Sequence, residues 1–247
     1  LIFEEGFIPE DAPSVTQRFI EALDEIGFPR CEGEIMMINP KWCKPIESYK
    51  EDIYRWIEEP NYENFMDMAI FFDSTPVAGK LSLHTELIDY LLSKVEQTPS
   101  ILMHFARAIE TFESPLGLFS QFVHDKEHKN AIDIKKGALF ALIHGVRALA
   151  LEHKIRETNT TLRIKALNNS GFLSKEDATD LMEALEIFNT LRLHSQLEQL
   201  AKGEKIDNYI SVADMGKLER DLLKEALKTV NKFKKVVSYH FHLSVVG

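Results

Sequence analysis

Cysteine is scarce: Cys31 and Cys43 are the only two in 247 residues, too few for a disulfide framework or a four-cysteine zinc site. No apolar run approaches the roughly 20 residues that cross a bilayer, and no secretory leader pattern is visible. Cationic residues are outnumbered, with 29 Lys and Arg against 39 Asp and Glu and a formal net charge of −10. That balance argues against a continuous basic face for duplex DNA or an anionic membrane, while leaving room for a local basic pocket. There is no internal repeat, no Gly-rich phosphate loop, no Gly-x-Ser-x-Gly elbow and no Cys-x-x-Cys pair. His124 and His128 are four apart, but Asp125 follows the first histidine where a zincin helix needs glutamate. His240 and His242 have no third ligand near in sequence. What remains is 45% hydrophobic and 28% charged, the balance of a globular protein with a real core. The reduced cytoplasm is its simplest compartment.

The first half reads as mixed structure. Leu1 is not a methionine, and Leu1-Ile2-Phe3 reads as a strand already in progress, as in a fragment or a processed chain. Ser14 followed by Gln17 has the capping-box pattern, and Val15, Phe19, Ile20, Leu23 and Ile26 share one helical face that Gly27 and Pro29 bring to an end. Residues 34–38 predict a short strand, Asn39-Pro40 a turn, residues 46–57 a second helix and residues 63–66 a short one. Met68-Ala69-Ile70-Phe71-Phe72 is apolar on both faces and predicts a central strand, with Asp73 at its exit.

From Leu83 onward the pattern is helical. Helices are predicted over 83–94 and 99–112, a short extended piece around Ile132 and Ile134, and a buried central helix over 137–153. A shorter helix follows over 159–167. Ser174 caps a long one whose stripe is Leu181, Leu185, Phe188, Leu191 and Leu197 and which Lys202-Gly203 ends. The last helix spans about 214–241, with Leu218, Leu222, Ala226, Phe233 and Val237 as its stripe. The fold class is therefore α+β, a mixed portion followed by a helical bundle, with a change of character between residues 80 and 97.

Candidate chemistry is sparse. Asp73, placed after an apolar strand, stands where ligands and metals are commonly met; a turn cap before Ser74-Thr75-Pro76 is the plainer reading. Lys41 in Asn-Pro-Lys-Trp suits a phosphate or an ordinary turn. Asp133, Lys135 and Lys136 precede the buried helix, where the lysines suit phosphate as point charges or form a solvated turn. Arg147 on that helix needs a partner, structural or ligand. Arg192 and His194 lie on the long helix, where packing is the commoner role for a histidine. Asp207-Asn208-Tyr209 reads as a loop.

Read together, these segments resemble one family. The stretches are residues 27–33, Met37-Ile38-Asn39-Pro40-Lys41-Trp42, Ile70-Phe71-Phe72-Asp73 with Pro76-Val77-Ala78-Gly79, Pro115-Leu116-Gly117-Leu118-Phe119, residues 131–137, Thr158-Asn159-Thr160 with Arg163, Leu191-Arg192-Leu193-His194-Ser195-Gln196, and Asp207-Asn208-Tyr209-Ile210. In this order they resemble the nucleotidyltransferases associated with CBS domains in bacteria, related to the PII-protein uridylyltransferases. The resemblance implies a polymerase-β-like nucleotidyltransferase sheet, here the incomplete C-terminal part over 1–96, and a helical substrate-binding-type domain over 97–247. It implies transfer of a nucleoside monophosphate from an NTP to a protein or small-molecule acceptor, with Mg²⁺ or Mn²⁺ held by an Asp-x-Asp pair and a third aspartate.

On that resemblance Asp73 is the catalytic, metal-ligating third carboxylate. Lys41, Asp133, Lys135, Arg147, Asn159 and Arg163 are the nucleotide- or substrate-binding candidates. The Gly-Ser and Asp-x-Asp elements are not in the chain, and Ser74-Thr75 replaces an aromatic and an arginine. The chain is thus expected to be catalytically incomplete, with CBS or cyclic-nucleotide sensor domains as partners in its parent. The alternative is a non-catalytic regulatory module that binds a nucleotide or a partner protein. An incomplete sheet edge favours a homodimer or pairing with a missing segment.

Overall fold

The computed structural model describes residues 1–6, 10–117, 121–123 and 131–243. Leu118, Phe119, His124 and His128 lie outside these. The chain divides into two compact units, Leu1–Thr98 and Pro99–Gly247. No helix among the described residues is long and apolar enough to cross a membrane.

In the first unit, β1 (Ile2–Phe3) and β2 (Lys44–Pro45) form a parallel pair with Ile2 opposite Lys44 and Phe3 opposite Pro45. Helix α1 (Ala12–Glu25) begins two residues ahead of Ser14, whose hydroxyl donates back to Asp11 O at 2.9 Å and so is no N-cap. Gln17 bonds Glu21 at 2.6 Å instead of closing a capping box. The expected stripe of α1 is split. Ala12, Thr16 and Ile20 are buried, whereas Val15, Phe19 and Ile26 are 46%, 49% and 70% exposed.

Residues 34–38 are not a strand. Glu34 sits at φ +54°, and its carbonyl accepts from the Asn39 side chain at 3.0 Å, which folds the segment into turns. Helices α2 (Ile46–Glu58), α3 (Tyr62–Phe72) and α4 (Ser82–Gln97) then build the core, with α2 packed on both others. Tyr49, Ile53 and Trp56 of α2 meet Met68, Phe71 and Phe72 of α3 and Leu87 and Leu91 of α4 in that core.

The largest correction concerns residues 68–72, the expected central strand, which form the end of α3. Asn61 starts that helix, accepting from Asn64 N at 3.0 Å. Burial at 64, 67, 68, 71 and 72 repeats at three and four residues, a helical period. Five consecutive apolar residues carry no period of their own, and the cap seven positions upstream decides the outcome.

The second unit is organised by α6 (Phe140–Glu152), entered through a π-helical turn, Lys135–Leu139. Around α6 pack α5 (Ser100–Ala106), the 3₁₀ turn Arg107–Glu110, α7 (Thr160–Asn169) and α9 (Lys217–His240). Helix α8 (Lys175–Lys202) packs on α7 and α9. Ser174 caps α8, accepting from Asp177 N at 3.0 Å, and Asp177 pairs with Lys232 of α9 at 2.7 Å. Gly203, at φ +69°, ends it in the left-handed region that a residue with a Cβ avoids.

Strand β3 (Ala131–Asp133) pairs antiparallel with β4 (Tyr209–Ser211), so Tyr209, expected in a loop, lies opposite Asp133. Two stripes are shorter than the sequence suggests. Buried residues of α8 end at Phe188, leaving Leu197 52% exposed, and those of α9 begin at Leu223, leaving Leu218 and Leu222 73% and 45% exposed. At 1.5 Å per residue α8 is about 42 Å long and runs past the core it covers.

Gly145 marks a close approach between α6 and α9. A Cβ there would stand 2.7 Å from the Phe233 ring and 3.3 Å from a Val237 methyl. Gly145→Ala is expected to destabilise the protein by about 1–3 kcal/mol through overpacking, read as a lower denaturant midpoint at unchanged slope.

Candidate functional site

The residues singled out by the sequence divide between the two units, with Lys41 and Asp73 in the first and Asp133, Lys135, Arg147, Asn159 and Arg163 in the second. Lys41 lies in the 3₁₀ turn Pro40–Trp42, begun by Asn39, whose side chain accepts from Lys41 N at 3.0 Å. Its ammonium pairs with Asp67 at 2.7 Å and Glu63 at 3.1 Å, both on α3. Burial works against the charge, but the two carboxylates outweigh it and hold the ammonium above its ordinary pKa. Asp73 is the C-cap of α3. Next to it the Ser74 hydroxyl donates to Phe71 O at 2.6 Å and lies 2.8 Å from His84 Nε2. Asp73 by itself does not make a site for a divalent ion: among the described residues no group of three or more His, Cys, Asp or Glu side chains is placed to hold one.

In the second unit, Asp133 caps the π-helical turn, accepting from Lys136 N at 2.9 Å, with Lys135 exposed beside it. Arg147 donates to His144 Nδ1 at 3.0 Å. Because guanidinium only donates, Nδ1 must accept, so the proton sits on Nε2 and bonds Phe105 O at 2.8 Å. Asn159 is the N-cap of α7, accepting from Leu162 N at 3.1 Å. Arg163 is 1% exposed and donates from Nε to Glu157 O.

A cavity does form where the sequence pointed only in part. Three separated stretches meet there: residues 191–204, residues 209–219 and Ala131 of β3. Polar side chains of α8 hold the 207–211 segment down. Ser195 donates to Tyr209 O at 2.9 Å and Gln196 to Asp207 O at 3.0 Å. Gln199 donates to Asp207 Oδ1 at 2.7 Å while its carbonyl accepts from Asp207 N at 2.9 Å, and Asp207 Oδ1 also accepts from Tyr209 N at 2.9 Å. Residues 195, 196 and 199 share a helical face, so one stripe of α8 clamps β4 in register against β3.

The cavity measures about 360 Å³ and adjoins a second of about 270 Å³ that shares Leu191, His194 and Glu219. Its wall carries Glu198, Glu204, Asp214 and Glu219 against a single lysine, Lys202. His194 is exposed to the cavity, so it is not the packing histidine that helix context suggested. Two residues earlier on α8, Arg192 keeps a buried Nε without a hydrogen-bond acceptor. Such a wall favours a polar ligand with hydrogen-bond donors or positive charge and disfavours a phosphate chain. None of the seven residues singled out for site roles lines these two cavities. The carboxylates were missed because they are scattered over α8, α9 and the loops between, with no spacing to mark them. The paired glutamines at 196 and 199 opposite Asp207 were the one readable sign.

A family model described as "Putative nucleotidyltransferase substrate binding domain" matches residues 99–241, and one described as "Putative nucleotidyltransferase DUF294" matches residues 1–63. No curated protein and no solved structure matches the chain.

Two outcomes test this geometry. Asp207→Ala removes the acceptor of Gln199 and of Tyr209 N and is expected to cost about 1–3 kcal/mol, with faster hydrogen exchange at Tyr209 than at α6 amides. His84 has its pKa lowered by burial, only partly offset by Ser74. Since the folded value lies below the unfolded one, its contribution is complete above the ordinary histidine value and is lost as pH falls through the folded value. Thermal unfolding should therefore show a loss of stability on acidification below about pH 6.5 that His84→Gln reduces.

Proposed function

The chain belongs to the family of putative nucleotidyltransferase substrate binding domains, matched over residues 99–241, and from that premise we propose that it serves a nucleotidyltransferase of the uridylyltransferase type, moving a nucleoside monophosphate from an NTP to an acceptor hydroxyl. The cavity between α8, β4 and α9 is the acceptor site in this reading. The observation that carries it is the convergence of three separated stretches on one polar cavity inside the region that the substrate-binding family covers. The carboxylate-rich wall suits an acceptor rather than a triphosphate, and His194 is placed to exchange a proton with a bound hydroxyl.

The reaction class uses Mg²⁺ or Mn²⁺, and Asp73 supplies one carboxylate toward it. Its place at the C-terminal end of α3 adds to the negative potential of that helix end, a field that attracts cations. The remaining ligands are not provided by the described residues. The reading extends to a cytoplasmic protein working with CBS or cyclic-nucleotide sensor domains, and to a homodimer.

A second reading, a nucleotide- or partner-binding regulatory module without turnover, draws on one specific observation. Lys41, the phosphate candidate of the first unit, is already neutralised by Asp67 and Glu63.

Turnover separates the two. In the complete parent protein, with α-labelled ATP or UTP, Mg²⁺ and a panel of proteins and small hydroxyl compounds, the transferase reading expects label in an acceptor and its loss in Asp73→Asn at an unchanged unfolding midpoint. Nucleotide binding without label transfer would establish the regulatory module. Full transfer by Asp73→Asn would remove Asp73 from the metal role.

A further inference from the structure

The linker from β4 to α9 has two differently charged sides. Ser211 and Asp214 face the acidic cavity described above, whereas Val212 and Ala213 line a separate cleft of about 550 Å³. That cleft is walled by Lys217, Arg220 and Lys224 of α9 and by Phe122, with Asp221 the one carboxylate. The three cations stand at i, i+3 and i+7, which places them in a row along one face of the first two turns of α9. Lys224 lies over the Phe122 ring, with its ammonium 5.3 Å from the centroid.

The chain carries ten more acidic than basic side chains by formal charge, and several of its lysines have carboxylate partners, as at Lys41, Lys50, Lys80, Lys228 and Lys232. Lys217, Arg220 and Lys224 have no such partner among the described residues, although Asp221 lies on the same cleft. Three positive charges lined up in a cleft, without carboxylate partners among the described residues and against one negative charge, favour an anion with several oxygen atoms. Arg220 can bind two oxygens in its fixed fork, while the lysines act as point charges on either side. A chain of two or three phosphates spans such a row; a single carboxylate does not. The face of Phe122 offers an apolar surface beside it.

We propose that this cleft binds the polyphosphate chain of a nucleotide, with Lys217, Arg220 and Lys224 as its ligands. The choice of a nucleotide rests on the nucleotidyl-transfer reading; the choice of a polyphosphate rests on the three cations alone. The two substrates of a transfer are then sorted by charge on the two sides of residues 211–214. The carboxylates of one side exclude the phosphates, and the cations of the other hold them.

Isothermal titration calorimetry on the full chain tests this with inorganic pyrophosphate, ATP and adenosine. Pyrophosphate and ATP are expected to bind and adenosine not to. The double variant Lys217→Ala, Arg220→Ala is expected to weaken both phosphate ligands by about 10- to 100-fold, the scale of one or two charge-assisted hydrogen bonds. Asp221→Asn is expected to tighten them. Lys217 and Arg220 are exposed, so an unchanged unfolding midpoint shows that the variant is folded. ATP binding more tightly than pyrophosphate, with Phe122→Leu closing the gap, assigns the cleft to the nucleotide; equal affinities assign it to the phosphates alone. Undiminished binding in the double variant, or no phosphate binding by the parent chain, overturns the proposal. If the double variant keeps label transfer and ATP affinity, the cleft is wrong and the transfer reading survives. If the cleft binds as expected and no acceptor is ever labelled, the transfer reading fails and the cleft stands.

Discussion

Helix α6 is buried on almost every side, and the rest of the second unit is fitted to that constraint. A helix without a solvent face has nowhere to place a polar group except against another polar group. His144 and Arg147 answer by bonding each other and, through Nε2, the carbonyl that Phe105 offers. A helix so enclosed must also admit its neighbours closely. Gly145 lets the Phe233 ring of α9 lie against the backbone, and Gly137 does the same for Pro115, whose ring would stand 2.8 Å from a Cβ there. The π-helical turn at its entrance, capped by Asp133, sets the direction in which β3 leaves the core. Since β3 fixes β4, and β4 leads into α9, the walls of both hollows trace back to how α6 is packed.

Electrostatics divides what packing builds. Over the whole chain acidic residues prevail, yet the residues around the first turns of α9 segregate by sign. Asp214 and Glu219 turn toward α8 and join Glu198 and Glu204; Lys217, Arg220 and Lys224 turn the other way. A helix makes this sorting simple, because residues two apart lie on opposite sides while residues three and four apart share one. Net charge alone therefore said little about ligands. It argued against a broad basic face and left room for a local one without placing it.

How much was legible follows from the length of the pattern each element offered. Long periodic segments declared themselves: α2, α4, α6, α7 and α8 lie where the apolar spacing put them, with Asn159 and Ser174 as their caps. The α+β class was readable as well, and the short extended piece at Ile132 showed in the alternation of Ile132 and Ile134 with Asp133 and Lys135. Short apolar runs were not. Residues 34–38 and 68–72 have strand-like composition, but their backbone is decided by Glu34 in a left-handed conformation and by a cap at Asn61. Stripes were overextended at Leu197, Leu218 and Leu222 because amphipathic spacing tells which face is apolar and not where the partner helix stops. The site was less legible still. Its clamp is one helix holding one strand through Ser195, Gln196 and Gln199, and such side-chain-to-backbone bonds leave almost no periodic trace.

The misread strand has a chemical consequence. At the end of a central strand, Asp73 would project from a sheet edge beside carboxylates on neighbouring strands, the arrangement that holds two metal ions. At the end of α3 it sits instead on a helix whose preceding turns carry Asp67 and Glu63, and those two carboxylates are committed to Lys41. Acidic side chains are thus plentiful near residue 73, but two of them already neutralise a cation of the protein's own. Freeing them for a metal would leave Lys41 without its partners and Asp67, 7% exposed at its side chain, with an uncompensated charge. The arrangement of the first unit therefore favours Asp67 and Glu63 as structural carboxylates.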